Sequence, residues 1–397
     1  MEWEKVKLSE VTEYITDGDH QPAPKSDSGV LFVKIKDIQD NRLTFDNALF
    51  VPQEYYNRLP KNRKAEYGDT LYTVVGSYGI PAFVNHNIPF CFERNIALLH
   101  PNNRVIPKYL YYAVNNPIFY GNANNIANGS AQKLISLSKL AGMEISVPPI
   151  ERQETIVNIL SAYDDLIENN QKQIKLSEEA AQRLYKEWFI DLRFPGHENV
   201  KIVDGVPEGW ERMVLSEVTS ILKRGISPKY SDNGKYSVIN QKCIRSSIMD
   251  ISESRRQEKE YVPTLNLQDS DTVICSTGTG TLGRVGRVYG DYPNTTFDSH
   301  VTLVRAKENP NYIYHVVKSQ QEYLMGMGRG STNQQELYRD VIERLVVLCP
   351  SQDILLKAER VLNAIHCKIK AVYLQNNLLV ESRDRLLPKL MSGEIEV

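Results

Sequence analysis

No stretch of this 397-residue chain holds eighteen consecutive apolar residues, so no membrane-spanning helix is expected. The opening residues, MEWEKVKLSE, are charged and lack the apolar segment of a secretory signal. Cysteine is scarce: Cys91, Cys243, Cys275, Cys349 and Cys367 are scattered, odd in number and never spaced as CxxC. That argues against a disulfide framework or a zinc knuckle and for a reducing, cytoplasmic setting. The seven histidines form neither HxxxH nor HExxH, which leaves a metal site without support. An excess of positive charge is also missing, since 47 Lys and Arg face 49 Asp and Glu, for a net charge of −2. Nucleic-acid binding usually leaves a basic footprint, although local patches can carry phosphate contacts on an otherwise acidic surface. Catalytic motifs are lacking too: there is no GxxxxGK[ST] phosphate loop, no GxSxG elbow and no conspicuous carboxylate pair. Val147-Pro-Pro-Ile150 has the prolines of an amino-methyltransferase motif without the Asn or Asp whose carbonyl must accept from the target amino group. His20 and His300 stand beside aspartates and read as hydrogen-bonded structural histidines.

What the chain does have is a copy of itself. Trp3-Glu-Lys-Val-Lys-Leu-Ser-Glu-Val-Thr12 returns as Trp210-Glu-Arg-Met-Val-Leu-Ser-Glu-Val-Thr219. Gly68-Asp-Thr-Leu-Tyr-Thr73 returns as Ser270-Asp-Thr-Val-Ile-Cys275, and Ile106-Pro-Lys-Tyr-Leu-Tyr-Tyr112 as Asn309-Pro-Asn-Tyr-Ile-Tyr-His315. Gly129-Ser-Ala-Gln132 matches Gly330-Ser-Thr-Asn333, and Val147-Pro-Pro149 matches Leu348-Cys-Pro350. The order is kept, so the protein is two copies of one unit, diverged between these landmarks.

Each copy begins with a patchwork of short apolar or alternating runs punctuated by Gly, Pro, Asn and Asp, which reads as many short strands. One helix per copy is expected at Pro107–Asn115 and Pro310–Gln320, because proline suits the first helical turn. From Ile150 to about Leu192, and from Pro350 to about Leu390, glycine is absent and apolar residues recur every three or four positions. A helix of about 40 residues spans about 60 Å. Two such helices, antiparallel, would bury each other's seams as a coiled coil. Ordinary core helices fit the same periodicity, but the length and the matched placement after each copy favour the pair.

Gly278-x-Gly280-x-x-Gly283 has the spacing of a dinucleotide fingerprint. That fold needs a helix directly afterwards, whereas Arg284-Val-Gly-Arg-Val-Tyr289 alternates like a strand. The matching place in the first copy, Val75-Gly-Ser-Tyr-Gly-Ile-Pro-Ala-Phe-Val84, lacks the fingerprint. A strand–turn–strand with a glycine-rich tip is the better reading.

Several landmarks together carry a resemblance. They are the WxxxxLxEV openings, the Gly-Ser-x-Gln segment leading through Pro-Pro into Glu151-Arg-Gln-Glu-Thr-Ile156, the Tyr185-Lys-Glu-Trp-Phe189 helix end, and Leu386-Leu-Pro-Lys-Leu-Met-Ser-Gly-Glu-Ile395. In this order and duplicated, they resemble the specificity (S) subunit of Type I restriction–modification systems across essentially the whole chain. The resemblance implies an α+β fold: two tandem strand-rich target recognition domains, each followed by a long α-helix, with the helices paired as an antiparallel coiled coil with pseudo-two-fold symmetry. The implied divisions are 1–149 and 209–349 for the recognition domains, 150–192 and 350–397 for the spacer helices (the second with the C-terminal tail) and 193–208 for a linker.

It also implies a non-catalytic adaptor in a prokaryotic cytoplasm that reads one half of a split DNA site with each domain. Its partners would be double-stranded DNA, two methyltransferase subunits and restriction subunits. S-adenosylmethionine, ATP and magnesium would sit on those partners, with no cofactor in this chain. An S-like subunit serving a lone adenine methyltransferase, or a coiled-coil scaffold, are the alternatives. Two major-groove readers on one face of DNA must sit about one helical turn, ~34 Å, apart, which suits a helical spacer. Base reading calls for Arg on guanine, Asn or Gln on adenine, and Ser or Thr on either. In the first copy the loop candidates are Lys25, Lys34, Lys36, Ser77, Tyr78, Asn128, Ser130, Gln132 and Lys133. In the second they are Arg224, Lys229, Tyr230, Lys242, Thr279, Thr281, Arg284, Arg287, Arg329, Ser331, Asn333 and Gln334. Arg284 and Arg287 stand near the places of Tyr78 and Ala82, so the halves should read different sequences. Trp188, Phe189, Leu386 and Leu387, at the helix ends, are the candidate contacts to partner subunits.

Overall fold

The central strand of each strand-rich domain is buried at four successive positions, and that decides what must surround it. In Ile96–Pro101 the first four side chains, Ile96 to Leu99, are all buried. Successive residues of a strand point to opposite faces, so both faces need a cover. Ile96 and Leu98 join Leu71, Ala82, Phe90 and Phe92 in one core, while Ala97 and Leu99 join Tyr72, Tyr109, Leu110 and Tyr112 in another. Each Ile, Leu or Phe among them contributes roughly 1.5–3 kcal/mol by leaving water.

The computed structural model describes residues 3–46, 48–127, 133–278, 280–328 and 335–397. The chain divides into two compact units, Met1–Glu168 with Asn377–Val397, and Asn169–Asn376. In the first, Thr12–Asp17, Ile96–Pro101, Thr70–Thr73 and Pro81–Phe83 form a four-stranded antiparallel sheet in that order. A three-stranded sheet, Leu49–Val51, Val30–Val33 and Phe90–Phe92, includes one parallel pair. Glu4–Lys7 closes the domain by pairing with Glu144–Val147. The second unit repeats this design. Its sheet runs Thr219–Arg224, Val301–Ala306, Thr272–Cys275, Val285–Arg287. Arg255–Gln257, Tyr236–Ile239 and Thr295–Phe297 form the three-stranded sheet, and Glu211–Val214 pairs with Val346–Cys349.

The anticipated proline-led helices are present as Pro107–Val114 and Pro310–Ser319. The long helices run Ile150–Tyr185, continued by one π-helical turn at Lys186–Ile190, and Gln352–Ser392. Each strand-rich domain packs on the long helix that follows it. Gln153 accepts from the Ile106 N–H at 2.8 Å, and Glu359 accepts from the N–H groups of Asn311 and Tyr312 at 3.2 and 2.9 Å. These are the backbone donors that helix starts leave unpaired.

Within each unit the helix segments lie antiparallel. In the first, Ile156 and Leu160 share a core with Leu387, Leu390 and Met391, and Asp164 pairs with Arg383 at 2.9 Å. In the second, Ile174 clusters with Ile369 and Tyr373, Tyr185 and Phe189 with Ile354 and Ala358, and buried Asn170 donates to Gln375 at 3.0 Å. Asn170, polar in an apolar seam, thus finds its partner on the facing helix.

One matched position differs chemically. Tyr112 donates to Asp164 at 2.6 Å. Its counterpart His315 instead meets His366, Nε2 to Nε2, at 3.0 Å, and His366 Nδ1 meets the Tyr289 hydroxyl at 2.7 Å. A consistent set has Tyr289 donating to His366 Nδ1 and His366 Nε2–H donating to His315, with both rings neutral. Burial, reinforced by the nearby Arg287 charge, lowers the pKa of His315 to about 3 and of His366 to about 2. The unfolded chain takes up these protons below about pH 6.5 and the folded chain refuses them, so stability is full above that pH and falls below it. The slope should reach about 1.4 kcal/mol per pH unit for each histidine until the folded values are approached. Urea midpoints between pH 7.5 and 4.5 should therefore drop more steeply in the wild type than in His366→Gln. Parallel slopes would contradict the assignment.

Candidate nucleic-acid interface

In the first unit, the segment 18–29 between two strands lies against Glu93–Asn95. Gly18 makes that approach possible, since a Cβ there would fall 1.9 Å from the Phe92 carbonyl oxygen. The result is an open cleft of about 340 Å³ whose lining includes Lys25, Lys34, Arg94 and Asn95. Two acids also line it, and both are occupied. Asp19 accepts from Tyr55 at 3.0 Å and from Arg63 at 3.2 Å, and Glu93 accepts from the Ile35 N–H at 2.8 Å. Lys25 and Arg94 are exposed, so the cationic side of the cleft faces solvent. Lys36, also exposed, follows on the short 3-10 turn Ile35–Asp37.

A second group sits at the turn after Thr70–Thr73. Ser77 is exposed, and its carbonyl accepts from Thr73. Tyr78 is nearly buried, stacks on Tyr120 with centroids 6.0 Å apart, and donates its hydroxyl to Asn124. Lys133 donates to the same Asn124 oxygen at 2.8 Å. Tyr78 thus anchors this surface from beneath, while Ser77 and Lys133 present it.

The second unit places the same elements with other side chains. Tyr230 is 39% exposed, and the Arg255 guanidinium lies 3.7 Å over its ring. Lys229, exposed, pairs with Glu258 at 2.8 Å, and Lys242 is exposed on the turn Gln241–Cys243. Thr277 and His300 share a hydrogen bond, and the His300 N–H donates to Asp298 at 2.8 Å. Asp298 is buried, which raises its pKa. His20 likewise meets Asp17 at 2.9 Å. Thr281 donates to the Thr277 carbonyl at 3.0 Å and closes the turn. Arg224 is committed inward, to Glu336 and the Ser299 carbonyl. Asn128, Ser130, Gln132, Thr279, Arg329, Ser331, Asn333 and Gln334 lie outside the described residues.

The glycine spacing at 278–283 is resolved by geometry. Thr272–Cys275 and Val285–Arg287 pair antiparallel across it. Gly283 has φ +76°, and a Cβ there would come within 2.6 Å of the Met325 nitrogen. The glycine serves a left-handed turn pressed on a neighbouring helix.

Three expectations need correction. Arg287, expected at DNA, is 1% exposed. It donates to Asn311 Oδ1 at 2.6 Å and to the Pro310 carbonyl at 3.3 Å, and its guanidinium lies 5.2 Å from the Tyr314 ring centroid. Strand register makes it the counterpart of Phe83, which packs on Tyr111, the counterpart of Tyr314, at 6.0 Å. Phe189 and Leu387, expected to face partner subunits, are each 3% exposed and belong to the unit cores. Phe189 sits 4.7 Å from Tyr312. Trp188 and Leu386 are partly buried against the same cores. Arg94, Asn95 and Arg255 lie beside the candidates for DNA contact but are not among the residues that the sequence singles out. Arg255-Arg256 was a legible signal, but Arg94 looked like an ordinary residue between two strands.

The family described as Type I restriction modification DNA specificity domain matches residues 1–178 and 207–354. The chain belongs to that family. It is a DNA specificity subunit of a Type I restriction–modification system, a non-catalytic member of such a complex. It is 28% identical over 324 residues to the Type I restriction enzyme MjaIX specificity subunit of Methanocaldococcus jannaschii, covering 78% of this chain and 74% of that one. It is 22% identical over 477 residues to the HindI specificity subunit of Haemophilus influenzae, covering 99% and 100%. The fold resembles the crystal structure of the Type I S subunit from M. genitalium, with a TM-score of 0.59, 17% identity and coverage of 98% and 96%. Among the described residues no helix is long and apolar enough to cross a membrane, and no group of three or more His, Cys, Asp or Glu could hold a metal ion.

Arg287→Ala in this specificity subunit should lower unfolding free energy by about 3 kcal/mol, because it leaves a cavity and unpaired partners in the core. Lys242→Ala, at an exposed site, should stay within about 0.5 kcal/mol. Urea denaturation compares the two, and matching midpoints would return Arg287 to the surface.

Proposed function

We propose that this subunit reads an asymmetric, split DNA site, with one recognition domain per half, and delivers methyltransferase subunits to it. The observation that carries the reading is a shared scaffold whose outer loops differ. At one matched set of places the first domain offers Lys34, Arg94 and Asn95 where the second offers Asn240, Ser299 and His300. The second adds Arg255 stacked on Tyr230. Arg and Lys suit guanine or phosphate, and Asn suits adenine, so different base content in the two half-sites is expected. Ser77 and Lys133 in the first domain, and Lys229, Lys242, Thr277 and Thr281 in the second, are proposed as neighbouring contacts.

The divisions at residues 1–149, 150–192, 193–208, 209–349 and 350–397 are proposed as reader, spacer, linker, reader and spacer with tail. Exposed leucines on the long helices support docking of two methyltransferase subunits there: Leu166 and Leu378 in the first unit, Leu176 and Leu374 in the second. Large apolar side chains left in water favour a partner. S-adenosylmethionine would belong to those subunits, and ATP and magnesium to restriction subunits. The setting is a prokaryotic cytoplasm.

Co-expression with the cognate methyltransferase subunit, then mapping of methylated adenines, tests the reading. A split motif with a fixed unread gap is expected. Arg94→Ala should relax or weaken recognition only in the half read by the first domain, and Arg255→Ala only in the other. Each loss should be about 1–3 kcal/mol, roughly five- to 150-fold. A loss shared by both halves from either substitution would refute the one-domain, one-half assignment.

A further inference from the structure

A cavity of about 210 Å³ in the second unit is lined by Arg245, Ser246, Ser247, Arg284, Lys318 and Gln321, with Gln182 of the first long helix. Three cations thus share one small space, and no Asp or Glu lines it among the described residues. Lys318 sits in the last turn of Pro310–Ser319 and is largely buried. Its ammonium donates only to neutral oxygens in its hydrogen bonds, the Val285 carbonyl at 3.1 Å and Gln321 Oε1 at 2.8 Å. Gln321 Oε1 also accepts from the Val285 N–H at 3.0 Å, which leaves the amide nitrogen of Gln321 as a donor. Arg245 meets Glu253 only at 3.8 Å, on the exposed side. Glu178, whose charge raises the Lys318 pKa, is held by the Ser247 hydroxyl, and burial raises its own pKa. Burial lowers the pKa of Lys318, and an anion bound beside it would oppose that shift.

The first unit shows that the scaffold does not require these charges. Cys275 N–H donates to the Arg284 carbonyl at 2.9 Å, and Thr73 N–H donates to the Ile80 carbonyl at 3.0 Å, so Ile80 holds the place of Arg284. Tyr314 donates to the Ser247 carbonyl at 3.5 Å, and Tyr111 donates to the Asn41 carbonyl at 3.3 Å. Counting back from that match puts Gln39 in the place of Arg245. The aligned proline-led helices put Asn115 in the place of Lys318. Three neutral residues therefore do the structural work of three cations.

We infer that the second unit carries a phosphate-binding site formed by Arg245, Arg284 and Lys318, with the Gln321 amide as a neutral donor. Two guanidinium groups and an ammonium match the charge and the several acceptor oxygens of a phosphate, and guanidinium forks engage two such oxygens at once. The volume admits one phosphate group. Two sources share this chemistry, a backbone phosphate of bound DNA and a free phosphate. The site stands whichever loop residues read bases.

The test uses the full chain and its triple variant Arg245→Gln, Arg284→Ile, Lys318→Asn, which installs the residues of the first unit. Inorganic phosphate at millimolar concentration, against chloride at equal ionic strength, should raise the wild-type Tm by about 2 °C or more and leave the variant unmoved. Equal shifts in both proteins, or none in either, overturn the inference. Should the triple variant fail to fold, Arg284→Ile alone is measured, and an undiminished phosphate shift there overturns it equally. Duplex DNA separates the sources. If a backbone phosphate occupies the site, phosphate competes with DNA, and the variant's slope of log affinity against log salt is shallower by about 0.9. If free phosphate is the ligand, its shift persists on the DNA complex and the slope is unchanged. A wild-type chain with the phosphate shift but no salt-dependent DNA binding would overturn the DNA source and support the site as one for free phosphate.

Discussion

A strand buried on both faces sets the terms for this molecule. Ile96–Leu99 and Val301–Val304 can be satisfied only by a second sheet on one side and helices on the other. The proline-led helix supplies part of the second cover, and it too is apolar around much of its girth: Tyr109 to Val114 are all buried. It therefore needs a further layer, which the long helix provides. The long helices are thus part of each domain's interior as well as a surface. This is why residues at their ends, Phe189 and Leu387, are consumed by the cores rather than left for partners.

That arrangement separates what must stay constant from what can vary. Strand order, the glycine turns at Gly79 and Gly283 and the capping of the proline-led helix by a long-helix side chain recur in both units. The outer loops do not recur, and their chemistry differs at matched positions. Groups such as Arg94 and Arg255 are exposed and contribute little to the cores, so on the proposed reading they can change without disturbing the fold. Two interior sites change as matched exchanges. Phe83 on Tyr111 becomes Arg287 on Tyr314, and Tyr112 with Asp164 becomes His315 with His366.

The duplication, the strand-rich domains, both proline-led helices and both long helices were legible because each rests on local periodicity or on the repeat itself. The helix pairing was legible for the same reason. The cofactor-like glycines were correctly set aside because Arg284 to Tyr289 alternate like a strand. The failures are non-local. Arg287 lies on a strand beside glycine-rich sequence and reads as exposed, yet its burial depends on Asn311, Tyr314 and Tyr289, all brought to it by the fold. Arg94 gave no local signal, because the cleft it lines depends on the segment 18–29 folding back across Glu93–Asn95. Phe189 and Leu387 were read by position at a helix end, and position does not reveal which side of the helix the domain covers.

The two units are unequal in one respect that bears on how the chain comes into being. Asn169–Asn376 is a continuous stretch, whereas the other unit joins residues 1–168 to 377–397. Leu387, Leu390 and Met391 fill the first unit's core, and Gly393 lies against the Trp3 indole, 3.1 Å from a would-be Cβ. During synthesis the residues that complete the first unit's core emerge last, after the whole of the stretch between has been made. The half of the protein translated first is therefore the last to have all of its core residues made.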